Sequence, residues 1–299
     1  MCPVDCQHLV KGSRKKSDNS GYAGREGTAR TGILKSTNLW LLGRGESWGR
    51  VMIKGGSIAL GVESAWIGVL WERRLLAALW LVWACWVCLL SMNAFDVVVS
   101  QAARALPEDI HVVFGIITVA GLGKWYLLGF GLCSAGLAVA ARAASDQDRS
   151  RVYRQWSLIL LFVFLAVLVS GLVVEVIKVS VGRARPKVLE LVGFYGFLSG
   201  NFRADYHSFP SGHAATAASV AMALAYLRPD LRWLAFGCAL PVILSRVIIN
   251  AHFLADIMGG SAIAIFTTWM LREWFASRTL VFSFGTDGLI HRIFPTRSR

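Results

Sequence analysis

Long apolar segments separated by short polar ones make up most of the chain from residue 75 onward. Each apolar segment holds about 16 to 21 residues, which is enough for one helix to cross a hydrocarbon core of about 30 Å. The pattern therefore predicts an all-α polytopic membrane protein, with six transmembrane helices in a bundle and short interfacial helices. The predicted spans lie near residues 75–92, 125–141, 157–177, 211–227, 232–250 and 255–271.

The predicted span at 211–227 differs from the others because it begins at polar residues and is rich in alanine. Small residues allow neighbouring helices in a membrane to approach closely. We therefore expect this helix to be surrounded by the other helices, beside a functional site.

The two ends of the chain lack the long apolar pattern. Residues 1–50 are rich in Gly, Ser and Arg without sustained periodicity, which predicts a disordered cytoplasmic segment. No apolar run followed by a small-residue cleavage site occurs there, so we expect no signal peptide, and Met52 is an alternative start. Residues 51–74 are apolar but contain a glutamate and flanking tryptophans, which is typical of an interfacial helix. The predicted six-span membrane domain covers 75–275, and a cytoplasmic tail covers 276–299.

Composition agrees with a membrane protein and argues against a soluble one. The chain is 55% hydrophobic and only 16% charged, whereas soluble proteins carry about 25% charged residues. The net charge of +13 does not require nucleic acid, because lysine and arginine beside membrane spans also favour anionic headgroups. We therefore expect the lipid bilayer as partner, with no nucleic acid and no obligate protein partner.

The six cysteines indicate no chemistry of their own. Four of them lie inside predicted spans, where cysteine usually packs as a small apolar residue. We expect no disulfide and no structural metal.

The positive-inside rule orients the chain. Arginines gather before the first predicted span, in the loops at 142–156 and 228–232, and from residue 272 onward, which places both termini in the cytoplasm. The loop at 178–210 lies on the opposite face and breaks the pattern, because it also carries many cations. Binding of an anionic group is the simplest reason for this excess. The cations are Lys178, Arg183, Arg185, Lys187 and Arg203.

The first candidate motif begins at the outer end of the third predicted span. Lys178 stands seven residues before Arg185, and Pro186 ends any helix that reaches it. A guanidinium offers a planar fork to two phosphate oxygens and an ammonium is a compact charge, so the pair suits an oxyanion. Glu175, one turn earlier, is placed to hold Lys178 by an ion pair. The alternative is that Lys178 extends toward lipid headgroups, as lysines at span ends often do.

The second candidate motif, Pro210-Ser211-Gly212-His213, opens the fourth predicted span. Proline and serine before a helical run indicate a helix N-terminus, where free backbone N–H groups and the helix dipole attract an anion. Gly212 lets the backbone approach that anion closely, and His213 would then lie beside it. The alternative is a capping serine next to a histidine without a role.

The third candidate motif joins Ser245 and Arg246 to His252 and Asp256. An arginine in an apolar stretch is costly unless it faces a partner or a cavity. His252 and Asp256 are four residues apart, so one ring nitrogen can bond the carboxylate while the other stays free and nucleophilic. A purely structural histidine–aspartate pair is the alternative. All three motifs fall at outer ends of spans, and this shared level favours one common site.

In this order and spacing, the three motifs resemble those of the type 2 phosphatidic acid phosphatase superfamily, over about residues 70–275. The resemblance implies a six-helix membrane core with its site near the outer surface. It implies attack on phosphorus by His252, a phosphohistidine intermediate, and protonation of the leaving oxygen by His213. It also implies phosphate binding by Lys178, Arg185, Arg246, Ser211 and Gly212, without a metal or another cofactor.

The resemblance predicts an enzyme of the bacterial inner membrane that hydrolyses a lipid phosphate at the periplasmic face. A phosphotransferase that passes the phosphoryl group to another lipid would have the same sequence features. A silent relative acting as transporter or scaffold is disfavoured, because every motif residue is present. Related haloperoxidases bind vanadate with the same motifs, but they are soluble, so the six predicted spans argue against that alternative. Four substrates stay open: undecaprenyl diphosphate, phosphatidylglycerol phosphate, phosphatidic acid and lipid A 1-phosphate.

Overall fold

The computed structural model of the protein describes residues 52–53, 56–57, 60–200, 202–285 and 289–293, with side chains from residue 75 onward. The segment 1–50, predicted to be disordered, lies outside the described residues. The chain divides into a unit of residues Met1–Gly61 and a unit of residues Val62–Arg299. In the first unit, β1 (Met52–Ile53) pairs antiparallel with β2 (Gly56–Ser57).

Helices account for most of the second unit, which confirms the all-α membrane fold. Each of the two longest helices is followed by short connecting helices, and a short hairpin ends the described chain. The helices are α1 (Leu60–Ala94), α2 (Asp96–Arg104), α3 (Glu108–Ile117), α4 (Gly123–Ala143), α5 (Gln147–Val181), α6 (Pro186–Val192), α7 (Gly212–Leu227), α8 (Arg232–Ile248) and α9 (Leu254–Ser277); the hairpin is β3 (Phe282–Phe284) and β4 (Ile290–Arg292).

Each predicted span coincides with a helix. In the described part of the chain, five segments are long and apolar enough to cross a membrane: Leu75–Ala94, Glu108–Ala143, Gln147–Val181, Pro229–Ile248 and Leu254–Ser277. The sixth predicted span corresponds to α7, which has only 16 residues. A total of six spans therefore stays a prediction.

The central position expected for α7 is confirmed. Side chains on every side of this helix are buried, including Ala214, Ala215, Thr216 and Ala217. Ser219 of α7 and Ser170 of α5 are within hydrogen-bond distance, with their hydroxyl oxygens 2.7 Å apart. Small side chains and paired hydroxyls are what close helix packing in a membrane requires.

The segment before the predicted membrane domain differs from the expectation. The helix predicted at 51–74 begins only at Leu60, because Met52–Ile53 and Gly56–Ser57 form the β1–β2 pair, and it continues without a break into the first span. Its interfacial position stays a prediction. In the described part of the predicted tail at 276–299, Phe282 of β3 packs edge-on against Phe162 of α5. The cytoplasmic position of this tail stays a prediction.

Glycines set the close contacts that shape the outer ends of α5, α7 and α9. Gly182 adopts a left-handed conformation (φ 62°) and caps α5, so the chain turns sharply after Val181. A side chain at Gly260 would collide with the carbonyl oxygen of Ser211. The absence of a Cβ at Gly260 therefore lets α9 lie directly against the start of α7.

We predict that the 142–156 loop is cytoplasmic and that α6 is extracytoplasmic. The reason is the cluster of arginines in that loop, which the positive-inside rule retains in the cytoplasm. Fusions of alkaline phosphatase, a reporter active only outside the cytoplasm, should be inactive after Arg149 and active after Glu190. The reverse result would place the candidate site inside the cell.

Candidate active site

Side chains from all three sequence motifs converge at one end of the bundle. Lys178 lies in the last turn of α5, Arg185 caps the start of α6, and Arg246 lies in the last turn of α8. His213 stands in the first turn of α7. The His213 imidazole interacts electrostatically with these three cations and with His252.

Ser211 and Gly212 lie at the N-terminus of α7, as the sequence predicts. Ser211 is the N-cap, and its side chain accepts a hydrogen bond from the backbone N–H of Ala214 at 3.5 Å. At Gly212, a Cβ atom would come within 3.3 Å of the Lys178 Nζ atom. The lysine ammonium therefore lies beside the free N–H groups of the helix, where both attract the same negative charge.

Lys178 and Arg185 each form a hydrogen bond with another residue of the protein. The Lys178 Nζ atom donates to Glu175 Oε1 at 2.6 Å, which confirms the predicted ion pair. Arg185 donates from its backbone N–H to the carbonyl of Asp205 at 2.9 Å. Burial lowers the pKa of the Arg185 guanidinium, against the opposing effect of Asp256 and other carboxylates.

Two buried arginine nitrogens have unused hydrogen-bonding capacity. One terminal nitrogen of Arg246 donates to Thr118 Oγ1 at 2.7 Å. Among the residues that the structure describes, however, the Nε atoms of Arg185 and Arg246 are buried without an acceptor. A buried donor without a partner costs about 1–3 kcal/mol. An oxyanion bound between the two guanidinium groups would satisfy both.

The His252 ring has a defined tautomer. Its Nδ1 atom is 2.7 Å from the carbonyl oxygen of Ser208. Because a carbonyl can only accept, Nδ1 carries the hydrogen and Nε2 keeps its lone pair. Burial lowers the pKa of His252, and Asp256 only partly opposes this effect. The ring is therefore neutral near pH 7, with Nε2 unprotonated.

The prediction of a direct hydrogen bond between His252 and Asp256 is wrong. His252 precedes α9, which begins at Leu254, so the two residues do not share a helical face. Asp256 Oδ2 lies 3.6 Å from His252 Nδ1, which is too long for a hydrogen bond. Instead, Asp256 Oδ2 accepts from Ser208 Oγ at 2.5 Å, and Ser208 in turn accepts from His252. Asp256 thus orients the ring through Ser208.

Arg183 is a central residue that the motifs do not contain. Its two terminal nitrogens donate to Asp96 Oδ2 and to Asp256 Oδ1, each at 2.5 Å. The arginine side chain is 2% exposed and both carboxylates are fully buried. Although burial alone would lower it, the pKa of Arg183 is raised because the two carboxylates stabilise the charge.

Three supporting residues shape the backbone around the site, and only Pro186 differs from the expectation. Pro186 does not end a helix, since α5 stops at Val181; it is the first residue of α6, where its missing N–H costs nothing. Ser245 donates to the carbonyl of Val242 within α8, at 2.6 Å. The Phe209–Pro210 peptide bond is cis, and Pro210 is buried beside the start of α7.

Comparisons with known proteins find a family model and two curated relatives that match this chain. A family model described as the PAP2 superfamily matches residues 159–280, which include all three motifs. A lipid A 1-phosphatase of Rhizobium etli is 30% identical over 212 residues, covering 69% of this chain and 89% of the relative. A lipid A 1-phosphatase of Rhizobium johnstonii is 29% identical over 214 residues, covering 70% and 85%.

A comparison with solved structures also finds one similar chain. It is a transmembrane PAP2 type phosphatidylglycerolphosphate phosphatase from Bacillus subtilis, 22% identical with a TM-score of 0.48. The match covers 66% of this chain and 94% of that one.

We predict that Arg183→Ala destabilises the protein strongly, because it leaves the Asp96 and Asp256 carboxylates buried without a cation. Breaking a buried ion pair in this way costs about 3–5 kcal/mol, which for a chain of this size lowers Tm by roughly 10 °C. The measurement is the temperature at which the purified protein in detergent loses its monodisperse peak.

The matched control is Arg149→Ala, which removes an arginine whose side chain is 76% exposed and paired only at the surface. Such pairs contribute roughly 0–1 kcal/mol, so its Tm should stay near that of wild type. Equal Tm values for the two variants would show that the buried pairs of Arg183 do not hold the fold.

Proposed function

The chain belongs to the PAP2 superfamily, and we propose that it hydrolyses a phosphate ester or diphosphate of a membrane lipid at the extracytoplasmic face. The observation that carries this proposal is the pair of buried Nε atoms on Arg185 and Arg246, which have no acceptor among the described residues. We infer that these two nitrogens, the Lys178 ammonium and the N-terminus of α7 bind the same phosphate group.

His252 is the nucleophile in the proposed reaction. Its Nε2 lone pair attacks phosphorus, forming a P–N bond while the bond to the leaving oxygen breaks. The ring then carries a positive charge, which the Ser208 carbonyl and the nearby Asp256 carboxylate stabilise. Lys178, Arg185 and Arg246 balance the charge on the phosphoryl oxygens, as cations do in other phosphoryl-transfer sites.

His213 supplies and recovers the proton. In its protonated form it gives a proton to the leaving oxygen during the first step. The neutral imidazole then accepts a proton from the water that attacks the phosphohistidine, and breaking the P–N bond restores His252. A side chain at position 121 would meet the His213 ring at 2.8 Å, so Gly121 permits the adjoining segment to hold this ring in place.

Support for a lipid substrate comes from the surface around the site. The segment from α6 to α7 exposes large apolar side chains, with Leu191 and Val192 each 70% exposed and Phe202 81% exposed. Such side chains suit contact with the membrane at headgroup depth. A lipid headgroup could then enter from the bilayer while its hydrocarbon chains stay in it.

The two relatives favour one of the four substrates left open by the sequence. Both are lipid A 1-phosphatases, and we propose lipid A 1-phosphate as the substrate. Its phosphate is esterified to a sugar hydroxyl, which is a poor leaving group. Protonation by His213 is then an important part of the reaction.

We predict that the purified protein in EDTA releases phosphate from lipid A at position 1, and that the two histidine variants differ. His252→Ala should be inactive on both lipid A and p-nitrophenyl phosphate, because no other side chain replaces the nucleophile. His213→Ala should lose on the order of 10²–10⁴ in kcat/KM on lipid A, the usual share of acid–base catalysis. It should retain proportionally more on p-nitrophenyl phosphate, whose leaving group needs no proton.

The measurement is the mutant-to-wild-type ratio of kcat/KM for the two substrates. A wild-type enzyme that needs added metal would contradict the proposed mechanism. Equal losses of His213→Ala on both substrates would mean that another group is the acid.

A further inference from the structure

A partly open cavity lies along α7, deeper than the candidate active site. It has a volume of about 350 Å³ and lies between α7, α8 and the start of α4. Its walls are mostly apolar and contain many small side chains. Residues that line it include Ala217, Ala221, Leu224, Ala235, Ala239 and Val242.

The cavity is continuous with the two helix faces that carry the site. Ala217 follows His213 by four residues on α7, and Val242 precedes Arg246 by four residues on α8. Residues four apart share one face of a helix. The faces that present His213 and Arg246 at the outer end therefore line the cavity one turn deeper.

The segment at residues 118–121 also connects the cavity with the site. Ala120, which lines the cavity, lies two residues after Thr118, the hydrogen-bond partner of Arg246. The next residue, Gly121, packs against the His213 ring. The upper wall of the cavity is thus built from the same segment that holds two site residues.

We propose that this cavity holds one hydrocarbon chain of the lipid whose phosphate is bound at the site, an inference that rests on the proposed function. The lining includes Ala217 and also Arg228, which directly follows α7. These residues are 11 positions apart, which corresponds to about 16 Å of helix. The cavity therefore extends from beneath the phosphate position toward the opposite end of the helix. A linear apolar group attached to the phosphate-bearing headgroup fits this shape and this chemistry.

The cavity contributes position more than affinity. A lipid chain moves into it from the bilayer, which is equally apolar, so little hydrophobic free energy is gained. A chain fixed in the cavity would instead set the depth and direction of the headgroup, and so bring the phosphate to His252 in the reacting geometry. The cavity should therefore affect the reaction of acylated substrates and not that of small ones.

The test fills the cavity and compares substrates with and without chains. Ala221→Phe places a ring in the middle of the cavity, and Ala235→Phe places one at a less buried wall position. In either variant, kcat/KM on lipid A should fall at least about tenfold, the scale on which apolar pockets discriminate. On p-nitrophenyl phosphate it should stay near wild type. Ala135→Phe, an exposed position on α4, is the matched control and should leave both values unchanged.

Two kinetic outcomes would overturn the proposal. Equal losses on both substrates in Ala221→Phe and Ala235→Phe would mean that the rings disturb the site itself. Wild-type kcat/KM on lipid A in a folded Ala221→Phe variant would mean that the lipid chain lies elsewhere.

A binding experiment separates this proposal from the proposed function, because it needs no turnover. The inactive His252→Ala variant is irradiated in micelles with lipid A that carries its 1-phosphate and a diazirine in one acyl chain. We expect labelling of α7 and α8 beside the cavity, competed by unlabelled lipid A and lost in the double variant with Ala221→Phe. Equal labelling by a diazirine phosphatidylcholine, without competition, would show bulk lipid in the cavity and refute the assignment.

Discussion

The buried ion pairs of Arg183 with Asp96 and Asp256 are the interaction on which the rest of the site depends. They join the start of α2, the turn after α5 and the first turn of α9. Taking three charged groups out of water is costly unless all are paired, so these three segments must meet together or not at all. Asp256 then holds Ser208, and Ser208 holds the His252 ring, so the orientation of the proposed nucleophile follows from the same ion pairs.

The cations at this end of the bundle fall into two groups. Arg183 is neutralised inside the protein, whereas Arg185 and Arg246 keep buried nitrogens without an acceptor in the described part of the chain. The charges of these two arginines also act on one another. A bound phosphate would relieve both the repulsion and the unmade hydrogen bonds. The site is therefore costly when empty and well matched to an anion, which is the property a phosphatase needs for charge stabilisation.

Hydrophobicity was sufficient to predict the long apolar helices, and the motif spacing predicted that Lys178, Arg185, His213 and Arg246 lie at the same end of the bundle. Arg183 was predicted only as one of several cations available to an anion, and Ser208 was not predicted as part of the site. Arg183 meets Asp256 across 73 residues and Asp96 across 87. In the sequence, Arg183 and Asp96 look like ordinary charged residues of loops, so the contacts between these distant positions could not be predicted. The effect of Pro186 was also misjudged, since proline is as suitable for beginning a helix as for ending one.

The most direct test of this account is to trap the phosphorylated enzyme. Wild type and variants are mixed with ³²P-labelled p-nitrophenyl phosphate, quenched in alkaline detergent and analysed for protein-bound label. We expect label that is stable in base and lost in acid, as for a phosphorus–nitrogen bond. It should be stronger in His213→Ala, because water attack on the intermediate is then slowed, and absent in His252→Ala. Undiminished label in His252→Ala would contradict the assignment of the nucleophile.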